Sequence, residues 1–252
     1  MNTTHIHNYR ATIAYDGTAY AGWQIQPNGL AVQEVIERSL AHLNGAPVKL
    51  HGSGRTDRGV HARAQSANFT LGRRWIPVDL QRALNAVLPS DIRILKLTGT
   101  RTDFHARRSA VAKEYRYLIW NDEIMPPHLR LYRAHVRRPL DVAAMQLAAA
   151  RLIGCHDFAA FSANPNRPVE STVRTLARLL VRRRGHDITI VARGNGFLYK
   201  MVRSLAGLLI RVGSGEVAPA KVKDILATRI RTAVVPTAPP QGLFLWQVFY
   251  RG

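Results

Sequence analysis

Two hydrophobic periods alternate along this chain, and their order limits what it can fold into. Tyr9 to Tyr15 alternates in the manner of a strand and ends in an Asp16-Gly17 turn. Val32, Val35, Ile36, Leu40 and Leu43 recur at helical spacing, closed by Gly45 and Pro47. Val48 to Leu50 reads as a short β-like segment and Ala64 to Thr70 leads towards another. Asp79 is placed to cap a helix carrying Leu80, Ala83, Leu84, Val87 and Leu88, stopped by Pro89. Ile92 to Leu97 is a further strand. The predicted order is β-α-β-β-α-β, a split βαβ or ferredoxin-like arrangement.

A basic linker, Arg101 to Arg108, follows, and then the pattern recurs. Glu114 to Trp120 alternates. Leu140, Ala144, Leu147, Ala148 and Leu152 form a helical stripe ended by Gly154, and Asn164 to Pro168 reads as a mobile loop. Val173 to Val181 and Ile188 to Ala192 read as a hairpin joined by Arg182-Arg183-Arg184-Gly185. Phe197, Met201, Leu205, Leu208, Leu209 and Val212 predict an amphipathic helix, Ala220 to Thr228 a shorter one, and Leu243 to Tyr250 a last strand. The expectation is an α+β protein of two related halves, 1–106 and 107–252. Each is an antiparallel sheet with helices on one face, and a cleft lies between them.

The charge balance narrows the partners. Lys and Arg number 36 against 16 Asp and Glu, a formal net charge of +20. Such an excess favours a polyanion, above all nucleic acid, through counterion release. Cys155 is the only cysteine, which excludes an intramolecular disulfide and suits a reducing cytoplasm. Its expected place is packing at a helix end. No secretory signal is read in Met1 to Arg10, and no run is long and apolar enough to span a bilayer.

The stretch with the most chemistry is Gly52-Ser53-Gly54-Arg55-Thr56-Asp57-Arg58-Gly59-Val60-His61-Ala62. It has no hydrophobic periodicity and reads as a loop between strands, where glycine permits backbone closed to other residues. Asp57 is its only acid and stands among Arg55 and Arg58. Carboxylates among cations favour the ionised form, which suits either a nucleophile or an anchored ion pair. A phosphate-cradling loop lacks its Gly-Lys-Ser/Thr ending. His51, Asp57 and His61 have no spacing that supports a metal, and Ser53 lies in no strand-turn-helix elbow. Tyr115 is either core or a platform for a splayed base. Arg203, beside the stripe Met201, Leu205 and Leu208, either pairs with a buried carboxylate or snorkels to solvent.

Several ordered blocks together carry a resemblance. Gly54 to Ala62, Tyr15-Asp16-Gly17-Thr18, Gly22-Trp23-Gln24, Gln26 to Gly29, Phe104 to Arg107, Lys113 to Tyr117, Phe197 to Arg203 and Gly242-Leu243 are similar to the motifs of the tRNA pseudouridine synthase A family. The likeness covers nearly the whole chain. It implies a pseudouridine-synthase fold around a central basic cleft, tRNA as substrate, a homodimer, no metal and no cofactor. It also implies isomerisation of uridine in the anticodon stem-loop, at tRNA positions 38, 39 and 40. By this resemblance Asp57 is the catalytic aspartate, Arg203 its partner and Tyr115 the stacking ring, while Leu243 lines the pocket. Arg55, Arg58, Arg107 and Arg108 would hold phosphates. Two departures stand out: Ala31 where a capping threonine is common, and the stretch 162–171, where the family often has Gln before Ser. Two other classes remain, a non-catalytic RNA-binding protein and an aspartyl hydrolase acting on a nucleotide.

Overall fold

A computed structural model describes residues 6–163 and 170–251. The chain divides into two compact units, Met1–Val111 with Leu245–Gly252, and Ala112–Phe244. The first contains β1 (His7–Tyr15), α1 (Val32–Asn44), β2 (His51–Gly52), β3 (His61–Leu71), α2 (Pro77–Val87) and β4 (Ile92–Thr100). β1 pairs antiparallel with β3 and with β4, and β2 pairs antiparallel with β3. The strand order of these four is therefore β4-β1-β3-β2.

Alternation explains the core of this unit. Tyr9, Ala11, Ile13 and Tyr15 are buried along β1, as are Ile36 and Leu40 of α1 and Leu80 and Leu84 of α2. Burying each of the larger aliphatic chains contributes about 1.5–3 kcal/mol. α1 begins at Ala31, which gives no side-chain cap, and ends at Gly45, left-handed at φ 73° with its N–H on the Ala41 carbonyl. Two expectations change here. Val48 to Leu50 is not a strand; pairing begins only at His51. Asp79 is not the cap of α2. Ile76 holds that position, Pro77 opens the helix with a preset φ, and Asp79 sits in the first turn, favourable to the helix dipole.

A buried amide pair fixes the segment after β4. Asn8 donates to the carbonyls of Arg101 (2.9 Å) and Phe104 (3.0 Å). Asn68 accepts from the Ala106 N–H at 2.9 Å, and the Tyr250 hydroxyl donates to the Ala106 carbonyl at 2.8 Å. The expected basic linker is thus stapled to its sheet.

The second unit carries most of β5 (Ala110–Asn121), then β6 (Ala134–Val136), α3 (Val142–Ala150), β7 (Gly154–Asp157), β8 (Val173–Arg184), β9 (Asp187–Gly194), α4 (Met201–Gly213) and α5 (Lys221–Thr228). Its strand order is β6-β5-β9-β8-β7, antiparallel except that β6 runs parallel to β5. The last strand, β10 (Leu243–Tyr250), belongs from Leu245 onward to the first unit and has the bounds that its alternation predicts. Register sorts the two faces. Tyr117 lies opposite Ile190, and Ile190 opposite Val181; all three are buried. α3 lies against β8, and α4 against α3.

Three more expectations are corrected in this unit. Leu147 of α3 is 61% exposed; Met145, Ala148 and Ala149 face inward instead. Arg182 to Arg184 belong to β8, and the turn is Gly185-His186, with Gly185 at φ 59°. Cys155 is exposed on β7 rather than packed at a helix end. The Asn164 to Pro168 loop lies outside the described residues, as does most of the 162–171 stretch.

Candidate active site

The Asp57 loop is a shaped object rather than a slack Gly-rich turn. At its start the Ser53 N–H donates to the Ser66 carbonyl at 2.8 Å. The Gln65 side chain clamps the next residues: its Oε1 accepts from the Ser53 hydroxyl at 2.7 Å, and its Nε2 donates to the Gly54 carbonyl at 2.8 Å. Ser53, Gln65 and Thr56 are all buried. Thr56 is held twice, through the Tyr15 hydroxyl at 2.8 Å and through its carbonyl, which accepts the Trp23 N–H at 3.1 Å. Asp57 itself forms an isolated antiparallel bridge with Gly22, and its carbonyl accepts the Val60 N–H at 3.1 Å. The side chain that follows such a backbone is aimed by it.

Glycines permit this close packing at two places. A Cβ on Gly22, at φ 112°, would lie 2.5 Å from the Thr56 carbonyl oxygen. A Cβ on Gly17 would lie 2.0 Å from that of Val60. The Gly17 N–H donates to Nδ1 of the wholly buried His61 at 3.0 Å, so that ring holds the turn of β1 against the end of the loop. Burial drives the Tyr15 phenol pKa well above its ordinary value, against the opposing hydrogen bonds of Thr56 and Gln65. Tyr15 is therefore a neutral hydrogen-bonding strut at neutral pH.

Arg55 and Arg58 flank the aspartate and are exposed, and an Arg58 Nη donates to the Asn28 carbonyl at 3.1 Å. Arg107 is exposed in the turn that Asn8 and Asn68 staple, with its N–H on Nδ1 of His105 at 3.2 Å. Burial, followed by the charge of Arg108, lowers the His105 pKa and disfavours its cationic form. Asp57 is half-buried. Among the described residues, no group of three or more His, Cys, Asp or Glu is placed to hold a metal ion.

Tyr115, Arg203 and Leu243 belong to the second unit. Tyr115 is 7% exposed on β5 and meets Phe197 edge to face at 5.1 Å. Arg203 lies in the first turn of α4, where its Nε donates to the Ala238 carbonyl at 2.8 Å and its own carbonyl accepts the Ala238 N–H at 3.1 Å. The Tyr117 hydroxyl donates to the neighbouring Pro239 carbonyl at 2.8 Å. Leu243, nearly buried, opens β10 just beyond that segment. The loop's supports, Gln65 and His61 above all, carry no local sequence signal of their role; the glycines at 17 and 22 are the nearest hint.

The model of a family described as tRNA pseudouridine synthase matches residues 11–107 and 148–251. A protein of Chlamydia trachomatis serovar A named tRNA pseudouridine synthase A is 47% identical over 244 residues, covering 94% of this chain and 90% of that protein. A protein of the same name from Geotalea uraniireducens is 46% identical, over 94% of this chain and 97% of that one. Another from a Thermoanaerobacter species is 42% identical, over 97% of this chain and 100% of its own length.

Proposed function

The chain belongs to the tRNA pseudouridine synthase family, and from that premise we propose that it isomerises uridine to pseudouridine in the anticodon stem-loop of tRNA, at positions 38, 39 and 40, with Asp57 as catalytic carboxylate and no cofactor. The observation that carries this reading is the clamp on the Asp57 loop: four neighbouring positions, 53, 54, 56 and 57, are held by Ser66, Gln65, Tyr15, Trp23 and Val60. A carboxylate so carried is presented at fixed aim, as a group that must meet one atom of a substrate requires. A surface ion pair has no need of such a scaffold.

The reaction breaks the bond between N1 of uracil and C1′ of ribose, turns the base, and joins C5 to C1′; N1 gains a proton and C5 loses one. No atom of the nucleotide is lost apart from this exchange. The target base leaves its stack at a cost of a few kcal/mol. Stacking on Tyr115 offsets about 1–3 kcal/mol of it. Asp57 serves either as a nucleophile on C1′, displaced when C5 attacks, or as the base that opens a glycal route. Arg203 keeps the carboxylate charged in a dry pocket, and Leu243 lines that pocket. Arg55, Arg58 and Arg107, all exposed, hold phosphates. The order β4-β1-β3-β2 supports a ferredoxin-like first half. The enzyme acts as a cytoplasmic homodimer with a central basic cleft.

Tritium release from a tRNA transcript carrying 5-tritiated uridine tests the proposal, with wild type and Asp57→Ala side by side and no added metal. Release by wild type alone is expected. Release by both moves the catalysis away from Asp57, and release by neither, with tight salt-sensitive binding, leaves an RNA-binding protein without chemistry.

A further inference from the structure

The outer face of the second unit's sheet carries a groove that the reaction described above does not use. Its volume is about 510 Å³, and six arginines line it: Arg116, Arg133, Arg178, Arg182, Arg183 and Arg184. Among the described residues, Asp187 is the only acid in the lining. Arg133 holds that carboxylate at 2.7 Å, and Arg116 holds the buried Glu114 at 3.0 Å. Arg178, Arg182 and Arg184 are exposed and add positive charge that no second lining carboxylate answers.

Register shows that this is one continuous surface. Arg182 lies opposite Thr189, and Arg184 opposite Asp187. Val191 sits between Leu180 on one side and Arg116 on the other. The apolar side chains of the same strands, Tyr117, Ile190 and Val181, point to the other face. Along β8, Arg182 and Arg184 are alternate residues, and Arg178 and Arg182 stand two such steps apart. Each step is about 6.6 Å, of the same order as the separation of consecutive phosphates along an RNA strand. Thr189, Leu180 and Val191 line the same groove between the arginines.

We propose that this face is a second RNA-binding surface, which takes the sugar-phosphate backbone of the tRNA at a place distinct from the Asp57 loop. Guanidinium forks suit phosphate oxygens bidentately. The competing occupant is a second copy of the chain, and charge argues against it. A two-fold interface would set this arginine row against itself. The proposal rests on the tRNA-modifying reading for the identity of the RNA.

The test is equilibrium binding of the full-length chain to an unmodified tRNA transcript across a salt series. The double variant Arg178→Gln/Arg182→Gln is expected to lower the slope of log affinity against log salt by about two. The affinity lost between 50 and 200 mM salt then shrinks by roughly tenfold. Arg178→Lys/Arg182→Lys keeps the charge and is expected to restore most of the slope. Arg38→Gln/Arg82→Gln removes two exposed charges on α1 and α2 and is expected to leave the slope near wild type. An unchanged slope in the first variant, with its melting curve intact, overturns the proposal, as does an equal drop in the α1/α2 variant. A shift from dimer to monomer in sedimentation, with the slope unchanged, overturns it in favour of a contact between copies. The readout is binding rather than turnover. A failure here leaves tritium release standing, and a failure of tritium release leaves the slope interpretable.

Discussion

The phenolic oxygen of Tyr15 and the hydroxyl of Thr56 lie 2.8 Å apart, one residue before Asp57, and both side chains are buried. This bond ties the end of β1 to the loop that presents the carboxylate. Either group can donate, so Tyr15→Phe takes the phenol from the buried Thr56 hydroxyl, at a cost of about 1–3 kcal/mol, while in Thr56→Val the phenol keeps only Gln65. Tyr15→Phe and Thr56→Val are each expected to lower the urea midpoint. The double variant is expected to be less destabilised than the sum of the two, with a coupling of about 0.5–3 kcal/mol. Tritium release by Tyr15→Phe should fall even where the protein stays folded, because the loop loses its aim. Strict additivity in the cycle would remove this bond from the account.

Gly22 and Gly17 lock the same loop by absence of bulk. With a Cβ 2.5 Å from the Thr56 oxygen and a φ of 112°, Gly22→Ala must move the backbone beside Asp57. A stability loss on the order of 1–3 kcal/mol is expected from the strained φ alone, read from thermal melting. Gly45→Ala is the contrast. Its φ of 73° is also positive, in the left-handed helical region, but nothing lies within 4 Å of the added carbon, so it costs conformational strain without disturbing the site. Equal activity losses in the two variants would show that the contact with Thr56 does not matter.

How much of this was legible in the sequence follows from range. Leu243 to Tyr250 alternates without interruption and is a strand over those bounds. Asp57 stands out because it is the one acid in an arginine-glycine run. Local signals fail where a neighbour decides. Arg182 to Arg184 looks like a connection by composition, yet β9 pairs with it and extends the hairpin to Gly185. Leu147 fits a helical stripe on paper, but the face turned towards α4 and β8 is that of Met145, Ala148 and Ala149. Val48 to Leu50 has strand-like residues, yet among the described residues the pairing with β3 covers only His51 and Gly52. The Gln65 clamp joins residues 11 and 12 positions away in the chain, a relation that no window of hydrophobicity contains.

Alkaline pH should expose the buried phenols. Burial raises the pKa of Tyr15, Tyr20 and Tyr117 far above the ordinary value near 10. Above about pH 10 an unfolded chain releases these protons while the folded one keeps them. Their contribution to stability is therefore whole below pH 10 and is lost as pH rises beyond it. Near-ultraviolet phenolate absorbance is expected to show a late phase for these three rings that coincides with the loss of circular dichroism. Full tyrosine titration ahead of any unfolding would contradict the burial of these three rings.

Arg203 separates a structural role from an electrostatic one. Its Nε and its carbonyl both bind Ala238, next to the Pro239 that accepts from Tyr117, so it helps to fix the segment leading into Leu243. Arg203→Ala removes fork and charge together. Arg203→Lys keeps the charge but cannot reproduce the planar Nε donor. Both variants should lose about 1–3 kcal/mol from the Ala238 carbonyl left without its donor. If Arg203 also holds Asp57 ionised, the two diverge in turnover measured where both are folded. Arg203→Ala should fall by roughly 10²–10³-fold, the range for loss of one preorganised charge, while Arg203→Lys keeps a measurable part of the rate. Two variants equally slow would assign Arg203 to holding the 238–239 segment alone, and two variants as fast as wild type would place the partner of Asp57 elsewhere in the chain.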